Sequence, residues 1–359
     1  MRIGIDAREI CGRPTGAGRY LAGLLREWAI AEDARRHEFV LYAPEALTIA
    51  HDSHRFDTRR VPGTSGSWWE QVSLPRAVRA DHLDALFSPA YSTPLHLNVP
   101  TLVAIHDVSF VAHPEWFRTR EGVRRRWLTR ASAGRARAIV TISEFSRREI
   151  ADRLGIPGSR IHVIPPGIAA PAGGNSTGDR EERVLFVGSI FNRRHVPDLV
   201  RAFGLVVRRR PDASLDLVGD NRTYPHEDVA HTIAAEGLDG RVRWHRYTSE
   251  EELGQLYARA RAFAFLSEYE GLGLTPLEAL AAGVPPVLLD TPVARESCGE
   301  AALYVAQGDL AGTAAVIEQA LVDPTARSRV LDAAPAALAK YRWPRAAKET
   351  LALFEQTMG

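Results

Sequence analysis

Two cysteines in 359 residues, Cys11 and Cys298, lie in different halves of the chain and offer neither a disulfide framework nor a metal-binding spacing; a reducing cytoplasm is the expected compartment. No apolar run approaches the ~20 residues of a membrane-spanning helix, and the opening Met1-Arg2-Ile3-Gly4-Ile5-Asp6 reads as a first strand rather than a signal peptide. A formal net charge of only +1 argues against a nucleic-acid binder. No repeat of solenoid period is present. Lysine is nearly absent as well, so the positive charge is almost all guanidinium. It is unevenly spread: residues 1–170 hold 24 basic and 18 acidic side chains and the remainder 21 and 26, so the first half is the one suited to an acidic surface or a phosphate-bearing acceptor.

What the chain does contain is a repeated beat of short apolar strands and helical stretches. Residues 2–5, 38–42, 85–87, 101–105 and 138–141 form one series, and 183–187, 214–218, 242–244, 262–266 and 286–289 a second. Such runs suit parallel sheets buried on both faces and joined by crossover helices. The Gly-, Pro-, Ser- and Asn-rich stretch 169–182 reads as a linker. The length fits two domains of ~150 to 200 residues. We therefore expect an α/β chain of two Rossmann-like, doubly wound domains, 1–168 and 183–343, with ligands beyond the carboxyl ends of the strands. Residues 343–356 are helical, with Leu351 and Phe354 on one side.

The most informative string is Tyr269-Glu270-Gly271-Leu272-Gly273-Leu274-Thr275-Pro276-Leu277-Glu278-Ala279-Leu280. Gly271 and Gly273 permit a close backbone approach, which leaves amides free to face a ligand. Thr275 is the expected N-cap and Pro276 the first helical residue, so a helix N-terminus suited to phosphate opens after the glycines. Glu278 stands three residues after Thr275, where a capping box would use it; as a ligand group it and Glu270 would meet different parts of one hydroxyl-rich anion. Glu270 read alone is equally a solvated loop acid.

This string resembles the signature of the retaining, two-domain glycosyltransferases of family 4, a Glu, seven residues and a second Glu, continued here by Ala282-Gly283-Val284-Pro285-Pro286. Leu272 replaces a commoner Phe, and Pro276 falls one place late. The resemblance extends over nearly the whole chain and implies the GT-B architecture, with residues 344–359 returning to the first domain. It implies transfer of a hexose from a nucleoside diphosphate to a glycan or lipid-linked acceptor hydroxyl. On that reading Arg193 and Arg194 hold the diphosphate beyond the Gly188 turn, Glu278 the ribose, and Glu270 with the backbone of Gly271, Leu272, Gly273 and Leu274 the sugar. No Asp-x-Asp motif accompanies these cations, so neither metal nor cofactor is expected, the arginines and the helix end taking that part. Without the resemblance, the arginine pair is as readily a solvated face.

The residues 12–20 are similar to the glycine loop that such enzymes place after the first strand, with Gly16 and Gly18 facing the donor; a helix-capping turn is the alternative, and the full dinucleotide fingerprint is missing. His106-Asp107 follows a strand, in a string to Glu115 similar to that of bacterial mannosyltransferase-like members. His106 would donate a hydrogen bond to the transferring sugar or an acceptor oxygen, and Asp107 would orient His106 or its loop. That string favours mannose from GDP-mannose over UDP-glucose or UDP-N-acetylglucosamine. Trp68 and Trp69 are acceptor-stacking or core residues. The arginines between Arg118 and Arg137 are either a solvated face or a patch for anionic lipid, at the inner face of a membrane, or for a lipid-diphosphate acceptor. Ser143 or Ser146 caps a helix, the latter in a box with Glu149. Rival readings are a nucleotide-sugar epimerase of the same architecture and a non-catalytic nucleotide-sugar-binding protein.

Overall fold

The computed structural model describes residues 1–12, 16–47, 55–64, 66–171, 173 and 180–358. It divides into two units, one comprising Met1–Ala112, Thr119–Gly167 and Tyr341–Gly359, the other His113–Arg118 and Ile168–Lys340.

In the first unit, β1 (Arg2–Asp6), β2 (Glu38–Ala43), β3 (Phe56–Arg60), β4 (Ala85–Ser88), β5 (Thr101–Ala104), β6 (Ala138–Thr141) and β7 (Ile161–Val163) form a parallel sheet ordered β3-β2-β1-β4-β5-β6-β7. β4, β5 and β6 are buried along their whole length, as expected where apolar matter lies on both faces. The order reverses between β1 and β4, which makes the gap beyond their carboxyl ends the natural ligand position in this unit. The last helix, Trp343–Met358, packs here: Trp28 Nε1 donates to the Ala347 carbonyl at 3.1 Å, and Phe354 meets Phe87 edge to face at 5.9 Å. Gly23 must be glycine for this packing, since a Cβ there would lie 2.3 Å from the Trp343 ring.

In the second unit, β8 (Glu181–Val187), β9 (Ser214–Val218), β10 (Val242–His245), β11 (Ala260–Phe265), β12 (Pro286–Leu289) and β13 (Leu303–Val305) form a parallel sheet ordered β10-β9-β8-β11-β12-β13. Here the reversal falls between β8 and β11. Phe186 on β8 stacks on Phe265 of β11 at 5.6 Å, fixing the floor beneath the two loops that leave these strands. β3, β7 and β13 were absent from the expected series, and all three are edge strands. β3 (Phe-Asp-Thr-Arg-Arg) exposes all but its first residue, and β7 and β13 have three residues each, so none carries the apolar run of a strand enclosed on both sides.

Candidate functional site

At the reversal point of the second unit, the loops after β8 and β11 are tied to each other. Gly188 leaves β8 with φ +145°, and a Cβ at this position would sit 2.6 Å from Arg194 Nη1, so the guanidinium lies directly over the glycine. A short turn, Asn192–Arg194, and a left-handed His195 (φ 45°) then start the helix Val196–Arg209. The amide of Glu268 donates to the Arg193 carbonyl at 2.9 Å, which holds this turn against the β11 loop.

The charged groups converge on Glu270. Arg194 Nε donates to Glu270 Oε1 at 2.7 Å and its Nη1 to the Ser189 carbonyl at 2.8 Å, while Ser267 Oγ donates to the same Glu270 oxygen at 2.9 Å. Arg193 Nε stands 3.9 Å from Glu270 Oε1 and is buried without a hydrogen-bond partner, although its guanidinium lies 4.4 Å from the Phe191 ring and 6.0 Å from that of Trp116. Burial alone would push the Glu270 carboxyl up; Arg194, Arg193 and the hydrogen bonds outweigh it and hold the group below the usual carboxylate range. Glu270 is thus ionised at neutral pH and is no proton donor. Two guanidiniums and one carboxylate leave a net positive charge, and one buried N–H is left to be satisfied. An oxyanion supplies what that N–H lacks.

Past Glu270 the glycine turn enters the helix Leu274–Ala281, but its start differs from the sequence expectation. The N-cap is Gly273, in the left-handed region at φ 84°, with no side-chain cap bond, and Thr275 lies inside the helix. Pro276 is therefore the third helical residue rather than the first, still within the turn whose amides have no intrahelical acceptor. Glu278 becomes the fifth, two residues beyond the position a capping box requires. Leu272 is buried, so only its backbone can serve a ligand. His113–Arg118 adds aromatic walls: His113 stacks on Trp116 at 3.9 Å, and both meet Tyr269 edge-on at 5.4 and 6.4 Å.

In the first unit, the loops beyond β1, β4 and β5 carry their own polar cluster. His106 is buried, with Nε2 3.0 Å from the Pro89 carbonyl and its ring edge-on to Tyr20 at 4.8 Å and Tyr91 at 5.9 Å. A carbonyl only accepts, so Nε2 carries the proton. Burial, opposed in part by that bond and by Asp107, holds the ring below its ordinary value, and the neutral imidazole has its lone pair on Nδ1. In this state Nδ1 can only accept a hydrogen bond, whereas the sequence reading had His106 donate one. Asp107 accepts from Tyr91 Oη at 2.9 Å and from the Ser109 amide at 2.8 Å, which shapes the loop. Ser143, and not Ser146, caps the helix Glu144–Leu154; Ser146 Oγ instead donates to the His106 carbonyl at 2.8 Å, and Glu149 pairs with Arg153 at 2.6 Å.

Gly16 and Gly18 lie in the first turn of the helix Gly16–Ile30, and residues 13–15 of that glycine loop are outside the described residues. Trp69 belongs to the core, 1% exposed with Nε1 donating to the Val61 carbonyl at 2.8 Å, which removes it as a stacking platform; Trp68 is 75% exposed.

Two family models cover most of the chain. Residues 14–170 match "Glycosyltransferase Family 4" and residues 174–336 match "Glycosyl transferases group 1". The chain belongs to the family 4 glycosyltransferases. Its relatives include the O-antigen chain mannosyltransferase B of Escherichia coli, 27% identical over 94% of this chain and 95% of that one. The GDP-mannose:cellobiosyl-diphosphopolyprenol alpha-mannosyltransferase of Xanthomonas oryzae pv. oryzae is 25% identical over 69% and 67%. Among solved structures, Anabaena HepE in complex with UDP and glucose superposes with a TM-score of 0.77 at 17% identity, covering 99% of this chain and all of that one. WaaG, a glycosyltransferase involved in lipopolysaccharide biosynthesis, gives 0.73 at 15% identity over 98% and 99%. These likenesses establish the GT-B fold.

For this family 4 glycosyltransferase, the sequence reading missed several groups beside the expected ones. Phe191 and Ser267 were within reach, being two and three residues from Arg193 and Glu270. Trp116 carried no signal, lying 77 residues before Arg193. In the first unit a buried ion cluster was also missed: Arg8 Nη2 contacts Glu70 Oε1 at 2.8 Å and Asp6 Oδ2 at 3.3 Å, and Ser92 Oγ donates to Glu70 at 2.6 Å. Asp6 ends the first strand, yet nothing in its neighbourhood predicts Glu70 as its companion.

Proposed function

We propose that this glycosyltransferase moves mannose from GDP-mannose to a hydroxyl of a glycan or lipid-linked saccharide, in the cytoplasm, with retention at the anomeric carbon and without a metal ion. The observation that carries the donor reading is the buried, unpartnered Nε of Arg193 beside the Arg194–Glu270 pair at the reversal point of the sheet. Arg193 grips the diphosphate and offsets the charge that develops on the leaving group. Arg194, fixed by Glu270 and Ser189, adds positive potential; Glu270 takes sugar hydroxyls through the lone pairs that Arg194 and Ser267 leave open. The backbone of Gly271–Leu274 meets the sugar, and Glu278 the ribose.

In the reaction, the bond from the anomeric carbon to the diphosphate oxygen breaks. The acceptor oxygen bonds to the same face of that carbon, and its proton passes to the departing phosphate. No protein nucleophile is required. His106 supports this through the acceptor lone pair of Nδ1, receiving a hydroxyl hydrogen bond from sugar or acceptor, with Asp107 holding its loop. Gly16 and Gly18, and Trp68 on the acceptor side, complete the set. Mannose is favoured by the names of the two relatives above, and the diphosphopolyprenol acceptor in one of those names supports a lipid-linked acceptor.

Thermal-shift titration with GDP-mannose, UDP-glucose, UDP-N-acetylglucosamine, ADP-glucose and dTDP-glucose in EDTA tests this. We expect GDP-mannose to raise Tm by several degrees and the others by less. A larger shift from a UDP sugar would replace mannose. No shift from any donor would remove the donor site itself. Donor incubated alone should hydrolyse or persist; an isomerised sugar would indicate an epimerase instead.

A further inference from the structure

The helix Thr119–Arg135 turns one face outward and leaves large apolar side chains exposed on it. At 100° per residue, Arg120, Val123, Arg124, Trp127 and Arg130 fall on one arc of about 120°. Gly122, Leu128, Thr129, Ser132 and Ala133, on the far side, are its buried face. Val123 is 51% and Trp127 64% exposed. Arg124 Nη1 donates to Ser67 Oγ at 2.9 Å, which sets the loop bearing Trp68 alongside. Three of the seven large apolar side chains exposed among the described residues therefore meet on this one surface. Three arginines stand among them, and Glu121, the helix's own acid, projects about 120° from the centre of the arc.

The rest of the arginine run has other work. Arg118 lies over the Tyr224 ring in the second unit; Arg125 lies over Tyr91 and Phe110; Arg126 donates to the Phe110 carbonyl, Arg135 to that of Leu97 and Arg137 to that of Thr357. Of the outward arginines, Arg124 keeps its bond to Ser67 and Arg130 donates to the Arg153 carbonyl at 2.7 Å, and both remain exposed.

We propose that the outward face, Arg120, Val123, Arg124, Trp127 and Arg130 with Trp68, is a docking surface for an anionic lipid bilayer. Tryptophan side chains settle at the headgroup level, where the ring is in apolar surroundings and the indole N–H remains hydrated. Guanidiniums between them meet lipid phosphates. A protein partner of ordinary composition gives no reason for three cations and no acid within an apolar patch; an anionic bilayer supplies both the apolar layer and the opposite charge. The surface is independent of the donor site, so the two readings fail separately.

Sedimentation with vesicles of phosphatidylcholine alone and of phosphatidylcholine with one-third phosphatidylglycerol tests it. Three arginines at the surface predict about a 100-fold preference for the anionic vesicles, declining as salt is raised. The variant Arg120→Ser/Trp127→Ser should lose at least ~10-fold of that partition with Tm and turnover of a water-soluble acceptor unchanged. Should its Tm fall, quenching of wild-type tryptophan fluorescence by brominated lipid decides instead, since Trp68 and Trp127 would be reached and the buried Trp28 and Trp69 would not. Equal partition into both vesicles, an unaltered variant, or no quenching overturns the proposal.

Discussion

Asp6 illustrates how a single buried group sets a pH response. Burial, offset in part by Arg8, pushes its carboxyl up to about 6. Because the folded value exceeds the unfolded one, the folded state holds the proton more tightly. The resulting stability is fully present below the ordinary aspartate value and is lost as pH rises to about 6. Asp6→Asn keeps the neutral shape at every pH. Chemical denaturation should show wild type losing ~1–3 kcal/mol between pH 4 and 6.5, with the variant flat over that range; parallel curves would show that Asp6 is ionised in the folded protein. Glu270 behaves in the opposite sense: its carboxyl is held low, so what its ion pair contributes is present at neutral pH and lost only in acid. At this scale the sequence was informative where glycine and charge adjoin, as at Gly188 with Arg194 and Glu270 with Gly271. It was silent where partners come from distant turns of the chain, as for Trp116 beside Arg193 and Glu70 beside Asp6 and Arg8.

At the scale of elements, the start of the helix Leu274–Ala281 takes Glu278 out of the capping position. The sequence offered Thr275 as a cap because Thr-x-x-Glu is a capping box, but the left-handed Gly273, two residues before Thr275, is the cap and leaves the box without its geometry. Glu278→Gln is then a clean separation of roles. Donor affinity should fall ~10-fold or more, as when a charge-assisted hydrogen bond is weakened, while Tm moves by less than about 2 °C. Equal affinity would remove the ribose assignment. The same reasoning explains which strands were legible. β4, β5, β6 and β12 are buried throughout and read as apolar runs, whereas at the sheet edges β3 is mostly polar and β7 and β13 are only three residues long.

Over the whole molecule, the two parallel α/β sheets followed from the alternation of strands and helices, and the family from one spaced pair of glutamates. The closure of the first unit by the last helix rests on contacts that span more than 260 residues. Trp28 reaches Ala347, Phe87 reaches Phe354, and Trp343 fills the space that Gly23 leaves. Deleting residues 342–359 uncovers Phe354's place in that core. Burial of Phe354 alone accounts for ~2 kcal/mol, and with Leu351 and Leu353 the loss approaches the whole stability of a domain. Limited proteolysis should then cleave the first unit while the second survives as a resistant fragment. Equal resistance of both would mean that the helix is dispensable.

The central claim is that Arg193 binds the donor's diphosphate, and calorimetric titration of GDP in EDTA into wild type and Arg193→Met tests it most directly. Methionine keeps much of the apolar contact with Phe191 and Trp116 and removes the charge and the buried N–H. The account predicts measurable metal-free binding to wild type and a loss of ~10- to 100-fold in the variant, with little change in Tm. Identical affinities for the two proteins would contradict it.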